Sequence, residues 1–118
     1  MTRVSQVDGV TIFSVDREYD SLDDRKVTEF SAQLTAAIEP ANPPLLLLDL
    51  SDTTFIGSSF LGVLVRAWKR IRERNGRMAL SCVNEICSEV LHASKLDTIW
   101  SIYPTRDAAV HALATAGD

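Results

Sequence analysis

Apolar residues recur at different periods along this chain, and each period predicts an element. Val27, Phe30, Leu34 and Ile38 return every three or four positions, the spacing that lines one face of a helix. That helix should begin near Ser21 to Asp24, where acidic residues suit the positive end of its dipole, and Pro40, Pro43 and Pro44 stop it. Leu45-Leu46-Leu47-Leu48-Asp49-Leu50 shows no alternation at all. A strand of that kind is covered on both faces, which predicts the centre of a parallel sheet. At about 100° per residue, Leu61, Leu64, Val65, Trp68 and Ile71 fall within about 120° of one another, so a second helix is expected over Ser59 to Glu73. Asn75-Gly76 closes it with residues that tolerate left-handed backbone.

The flanking segments complete the pattern. Val10 to Val15 is rich in β-branched and aromatic residues and predicts a strand, with residues 4–7 as a short edge strand before it. Asp8-Gly9 between them is a tight-hairpin signal, which makes the pair antiparallel. Met78 to Val83 predicts a strand, Glu85 to Ala93 a short helix and Ile99 to Tyr103 a last strand. Thr105 is placed to cap a closing helix that runs through Ala108, Val110 and Leu113. The order β-β-α-β-α-β-α-β-α implies one α/β domain over 1–118, with a mostly parallel, mixed sheet of about four to five strands and about four helices.

Composition narrows what such a domain does. The 118 residues suffice for one core, and 46% apolar with 24% charged residues are ordinary globular values. Twelve basic against sixteen acidic side chains leave a net charge of -4, which disfavours binding to nucleic acid or to an anionic membrane surface. The apolar run Leu45 to Leu48 is far shorter than the roughly 20 residues a membrane helix needs, and Met1 to Asp8 has no apolar core for export. Cys82 and Cys87 cannot form a disulfide scaffold and read as reduced thiols, so a cytoplasmic location is expected.

The most informative stretch is the turn after the central strand, Asp49 to Leu64, where Ser58-Ser59 stands at the start of a helix. In open α/β sheets the carboxyl ends of the strands are where ligands and partners meet the fold. Spacing alone makes either serine an N-cap. Gly57-Ser58-Ser59-Phe60-Leu61 lacks the second glycine of a nucleophile elbow, and the candidate bases His92 and His111 lie in helical segments away from the turn, so a hydrolase is disfavoured. Cys82 and Cys87 lack zinc-site spacing, and Cys82, alternating with Leu80, is expected to be a small core residue. Gly57 and Gly62 do not make a Walker loop. No metal and no cofactor is implied. Arg66, Lys69, Arg70, Arg72, Arg74 and Arg77 form a basic run that is either a solvated face or a contact for an acidic protein or RNA, though no interleaved aromatics support RNA.

The residues of this turn resemble a known family. Phe55-Ile56-Gly57-Ser58-Ser59-Phe60-Leu61-Gly62-Val63-Leu64 is similar to the Phe/Ile-Asp-Ser-Ser-Gly-Leu-Gly-Val-Leu signature of the STAS domain, the sulphate transporter and anti-sigma antagonist family, in its stand-alone bacterial form. Glu18-Tyr19-Asp20 resembles that family's Gly-Glu-Leu-Asp turn, with Arg17 in place of the glycine. Ser94-Lys95-Leu96-Asp97 resembles its Ser-Gly-Leu-Asp segment, and Ala108 to Leu113 its closing helix. The resemblance implies an anti-sigma factor antagonist, a binding protein and not an enzyme. It would capture an anti-sigma serine kinase and let go when that kinase phosphorylates Ser58, and a PP2C-type phosphatase would reset it.

Two departures qualify the resemblance: Gly57 stands at the family's aspartate and Phe60 at its glycine. The first removes a charge and an acceptor beside Ser58. The second adds a ring that either packs inward or stands out as a partner anchor. If they prevent modification, the domain is an unphosphorylated scaffold module in a signalling complex. By the helix arithmetic Gly62 and Val63 point away from the core stripe. With Ser59, Gly57, Phe60 and, through the resemblance, Glu18 and Asp20, they outline the expected partner surface.

Overall fold

In a computed structural model of the chain, residues 3–16 and 23–115 are described. Strands β1 (Arg3–Val7) and β2 (Val10–Ser14) form the expected hairpin. Asp8 and Gly9 both take positive φ, 53° and 81°, as a primed two-residue turn requires. Helix α1 (Asp24–Ile38) begins where expected: Asp23 is its N-cap and accepts from the Lys26 N–H at 2.9 Å. Strand β3 (Leu45–Asp49), helix α2 (Ser58–Glu73), strand β4 (Arg77–Ser81), helix α3 (Glu85–Ala93), strand β5 (Ser101–Tyr103) and helix α4 (Arg106–Thr115) follow in the predicted order.

The sheet runs β1-β2-β3-β4-β5, with β1 antiparallel to β2 and every other pair parallel. β3 is central and buried on both faces. Leu46 and Leu48 pack with Phe30 and Leu34 of α1, Leu64 of α2 and Leu91 of α3, whereas Leu47 packs with Ala109, Val110 and Leu113 of α4. Each such leucine contributes about 2 kcal/mol by leaving water. A sheet with helices on both faces satisfies this run without a polar side.

β2 and β3 each end one residue before the expected strand does, and β4 and β5 depart further, for local reasons. β4 stops at Ser81 because Cys82 turns into left-handed backbone (φ 59°), its N–H donating to the Tyr103 carbonyl at 3.2 Å. Cys82 is therefore a half-buried turn residue and not the strand core residue expected, while Cys87 is buried. β5 starts at Ser101 because the N–H groups of Ile99 and Trp100 both donate to the Leu96 carbonyl, closing a 3₁₀ turn over Leu96–Thr98. Lys95, where the resembling family has glycine, takes φ 61° at the end of α3. The start of β4 tolerates no side chain at all at Gly76, since a Cβ there would lie 2.0 Å from the Pro44 carbonyl oxygen.

Two polar devices join elements far apart in sequence. The Arg74 guanidinium, just after α2, donates to the carbonyls of Ile38, Glu39 and Ala41 and so caps the end of α1, which has no basic residue in its own last turn. At the other end of the sheet Asp49 is buried, with only 4% of its side chain exposed. Its Oδ1 accepts from the Ser51 N–H at 3.0 Å and its Oδ2 pairs with Arg106 at the start of α4. Arg106 also donates to Ser14 Oγ at 3.2 Å.

Burial alone would raise the Asp49 pKa. The Arg106 guanidinium and the Ser51 amide outweigh it and hold the carboxyl below its ordinary value of 3.8. A carboxyl more acidic in the folded than in the unfolded chain adds stability above the unfolded pKa, and that stability is lost as pH falls through the folded value. Urea unfolding of the wild type should therefore show stability declining below about pH 4, with a shallower decline in Asp49→Asn. Arg106→Ala, which leaves a buried charge without its cation, should lose about 3 kcal/mol at neutral pH.

Candidate functional site

The strand end set by Asp49 leads into the segment 50–57, which carries the Ser58 turn. Leu50 is held by its N–H on the Ser81 carbonyl (3.0 Å), and the Thr53 N–H turns back to the Leu50 carbonyl (3.0 Å). Thr53 and Ile56 point inward and are buried, while Phe55 between them is half exposed to solvent, at 51%. Asn84 ties the loop from outside. Asn84 Nδ2 donates to the carbonyls of Thr53 (3.1 Å) and Thr54 (3.3 Å), while its Oδ1 accepts from the Cys87 N–H (2.7 Å) and caps α3. Asn84 thus couples the segment bearing Phe55 to the one bearing Ile86, itself 57% exposed.

At the head of α2 the N-cap is Gly57, in extended backbone, so neither serine fills that role. Ser58 and Ser59 are the first helical residues, and both are exposed. With no side chain at the cap and no acidic residue in the first turn, no side-chain acceptor among the described residues meets the leading N–H groups of α2. The Phe55 ring edge lies 3.5 Å from the place a Cβ on Gly57 would occupy, so the apolar ring borders the neutral turn.

Phe60 and Val63 do not join this surface. Each is 1% exposed. Phe60 turns into the core against Phe30, ring centroids 5.1 Å apart, in a line that continues to Phe13. Val63 is buried because α2 packs on α1 as well as on the sheet, which widens its apolar face; Phe60, Val63, Leu64, Ala67 and Ile71 are its buried residues, while Leu61, Val65 and Trp68 are only partly covered. One-face arithmetic omits the second contact. Gly62 is half-buried beneath the Arg66 guanidinium, whose Nη1 lies 3.5 Å from where a Cβ would be. Glu18 and Asp20 lie outside the described residues. Phe55, Ile86 and Asn84 are the surface residues that helical spacing does not reveal, because they stand in loops or at a helix start.

His92 and His111 lie on α3 and α4, and the His92 ring meets Asp97 at 2.9 Å. Among the described residues no group of three or more His, Cys, Asp or Glu comes together in a metal-binding arrangement. None of the helices described is long and apolar enough to cross a membrane.

Two substitutions probe this geometry. Asn84→Ala should cost about 1–2 kcal/mol and speed amide exchange over 53–57 and at the start of α3 together, since one side chain serves both. Gly57→Asp meets only ordinary contact with Phe55; by capping α2 it should raise stability by roughly a few tenths of a kcal/mol in thermal unfolding.

Comparisons with known proteins agree with this architecture. The family model of the STAS domain matches residues 2–109. An anti-sigma-factor antagonist (STAS) domain protein from Planctomyces limnophilus is 36% identical, with 97% of this chain and 98% of that one covered and a TM-score of 0.87. An anti-sigma factor antagonist from Mycobacterium paratuberculosis is 26% identical over 96% of this chain and 92% of its own, with a TM-score of 0.81. The Bacillus cell fate determinant SpoIIAA in its phosphorylated form shares the fold at 17% identity, with 94% and 97% covered and a TM-score of 0.69. With the strand order, the Ser58 turn and a family match over most of its length, this chain belongs to the STAS domain family.

Proposed function

We propose that this protein is an anti-sigma factor antagonist: it binds an anti-sigma serine kinase through the Ser58 end of its sheet and releases it when Ser58 carries phosphate. The observation that carries the reading is the position of Ser58, exposed at the first turn of α2, after a cap without a side chain and beside the exposed Phe55. Similarity to antagonists from two other organisms over nearly the whole chain supports the partner class.

The physics of the turn fits a switch. A phosphate brings roughly -1.5 to -2 charges and strong acceptor oxygens. At this position it meets open N–H groups and the positive end of the α2 dipole, so the domain keeps its fold. A partner packed over Phe55, Ile86 and a neutral Ser58 must instead desolvate that charge, and it leaves. Neither departure from the family pattern obstructs the hydroxyl: Phe60 is turned into the core, and Gly57 adds no bulk. This favours the switch over an unmodified scaffold. A PP2C-type phosphatase reverses the step, and the exchange takes place in the cytoplasm.

The test pairs the purified protein with its cognate kinase and Mg-ATP. Wild type should bind without nucleotide hydrolysis, acquire phosphate on Ser58 by site-resolved mass spectrometry, and then dissociate. Ser58→Ala should stay bound under ATP, and Ser58→Asp should bind at least about tenfold more weakly than wild type. Release of Ser58→Ala at the wild-type rate would overturn the switch.

A further inference from the structure

Away from the Ser58 end, α1 and α2 leave a groove between them. One cavity of about 540 Å³ runs along it, with Ser31, Ala32, Thr35 and Ala36 of α1 and Glu39 just after it on one side and Arg66 and Arg70 of α2 on the other. Ala32 and Ala36 are exposed and one helical turn apart, so the α1 wall is shallow and partly apolar. Arg66 and Arg70 are also exposed and one turn apart, and among the described residues neither meets a carboxylate. The Arg66 guanidinium lies close along the helix over Gly62, where the missing side chain leaves it room.

We infer that this groove docks an acidic, helix-forming segment of another protein. Charge complementarity selects the occupant. The chain carries a net -4, yet Arg66, Lys69, Arg70, Arg72, Arg74 and Arg77 place six of its twelve basic residues in one short stretch. Arg74 is engaged with the α1 carbonyls and Arg72 lies over the Trp68 ring at 4.8 Å; of the other four, Arg66 and Arg70 line the groove. Two guanidiniums four residues apart match two carboxylates four residues apart on a facing helix, and small side chains of that helix fit over Ala32 and Ala36. The groove also has a direction. Glu39 closes the groove and, with Glu73, Arg70 and Arg74, lines the continuing cavity of about 570 Å³, so the acidic residues of the occupant belong opposite Arg66 and Arg70 and not beyond them. RNA is the poorer fit because no aromatic side chain lines the cavity for bases to stack on. The inference stands apart from the Ser58 switch.

The test is a titration of the ¹⁵N-labelled full chain, followed by amide shifts, with a synthetic amphipathic helical peptide bearing glutamates four residues apart along one edge and alanine and leucine on its face. Saturable shifts at Ser31, Ala32, Thr35, Ala36, Arg66 and Arg70 are expected. The double variant Arg66→Glu/Arg70→Glu should weaken binding by about tenfold or more, and Ser58→Ala should leave it unchanged. The same peptide with glutamine in place of glutamate should bind the wild type correspondingly more weakly, a comparison that needs no variant to fold. Equal binding of the glutamine peptide, shifts centred on Phe55 and Ser58, no saturable shift at millimolar peptide, or equally tight binding of a single-stranded RNA oligonucleotide at the same amides would each overturn the inference.

Discussion

Leu46, Leu47 and Leu48 have no face on which to meet water, and the rest of the molecule is arranged around that constraint. A strand apolar on both sides needs helices above and below it, which places α1, α2 and α3 on one face and α4 on the other. It also carries its last residue into the interior. Asp49 can remain charged there only because Arg106 and the Ser51 amide reach it, so one carboxylate joins the central strand to α4 and to the loop leading to Ser58. The stability of the core and the position of the functional turn thus have a common origin.

The Ser58 turn, from Thr53 to Phe60, carries no charged side chain and is held firmly. Ile56 and Phe60 anchor its two sides in the core, Asn84 fastens the loop from outside, and Gly57 leaves the helix head without a side-chain acceptor. Such a surface suits a switch by charge. The scaffold does not have to rearrange, because a group added at Ser58 meets the helix dipole on one side and the partner on the other. The opposite half of α2 has the contrary character, a concentration of arginines in an otherwise acidic chain, so one helix presents two chemically distinct surfaces.

Much of this was legible from residue order. The uninterrupted leucines, the Asp8-Gly9 pair and the spacing of Phe30, Leu34 and Ile38 each predict what was found, since a strand covered on both faces, a primed turn and an amphipathic helix are local solutions to local patterns. The Ser58-Ser59 turn was visible for the same reason, as a helix start after a buried strand. The outward face of α2 was not. Val63 and Phe60 are buried because α1 lies against α2, and a period counted along one helix contains no information about a second helix beside it. The ends of β4 and β5 shifted by a few residues where Cys82 and the Leu96 turn took conformations that propensity does not anticipate.

By itself, the sequence determined the number, kind and order of the elements, the hairpin, the central strand and the place of the serine pair. These follow from periodicity and backbone preference over a few neighbouring residues. Only the tertiary structure decided which side chains answer which backbone groups across the fold: Arg106 for Asp49, 57 residues away, Arg74 for the end of α1, 36 away at Ile38, and Asn84 for the loop at Thr53, 31 away. Each of these arginine and asparagine side chains has many polar groups it could serve. The choice among them is made by packing, which brings one within reach and buries it until it must be satisfied.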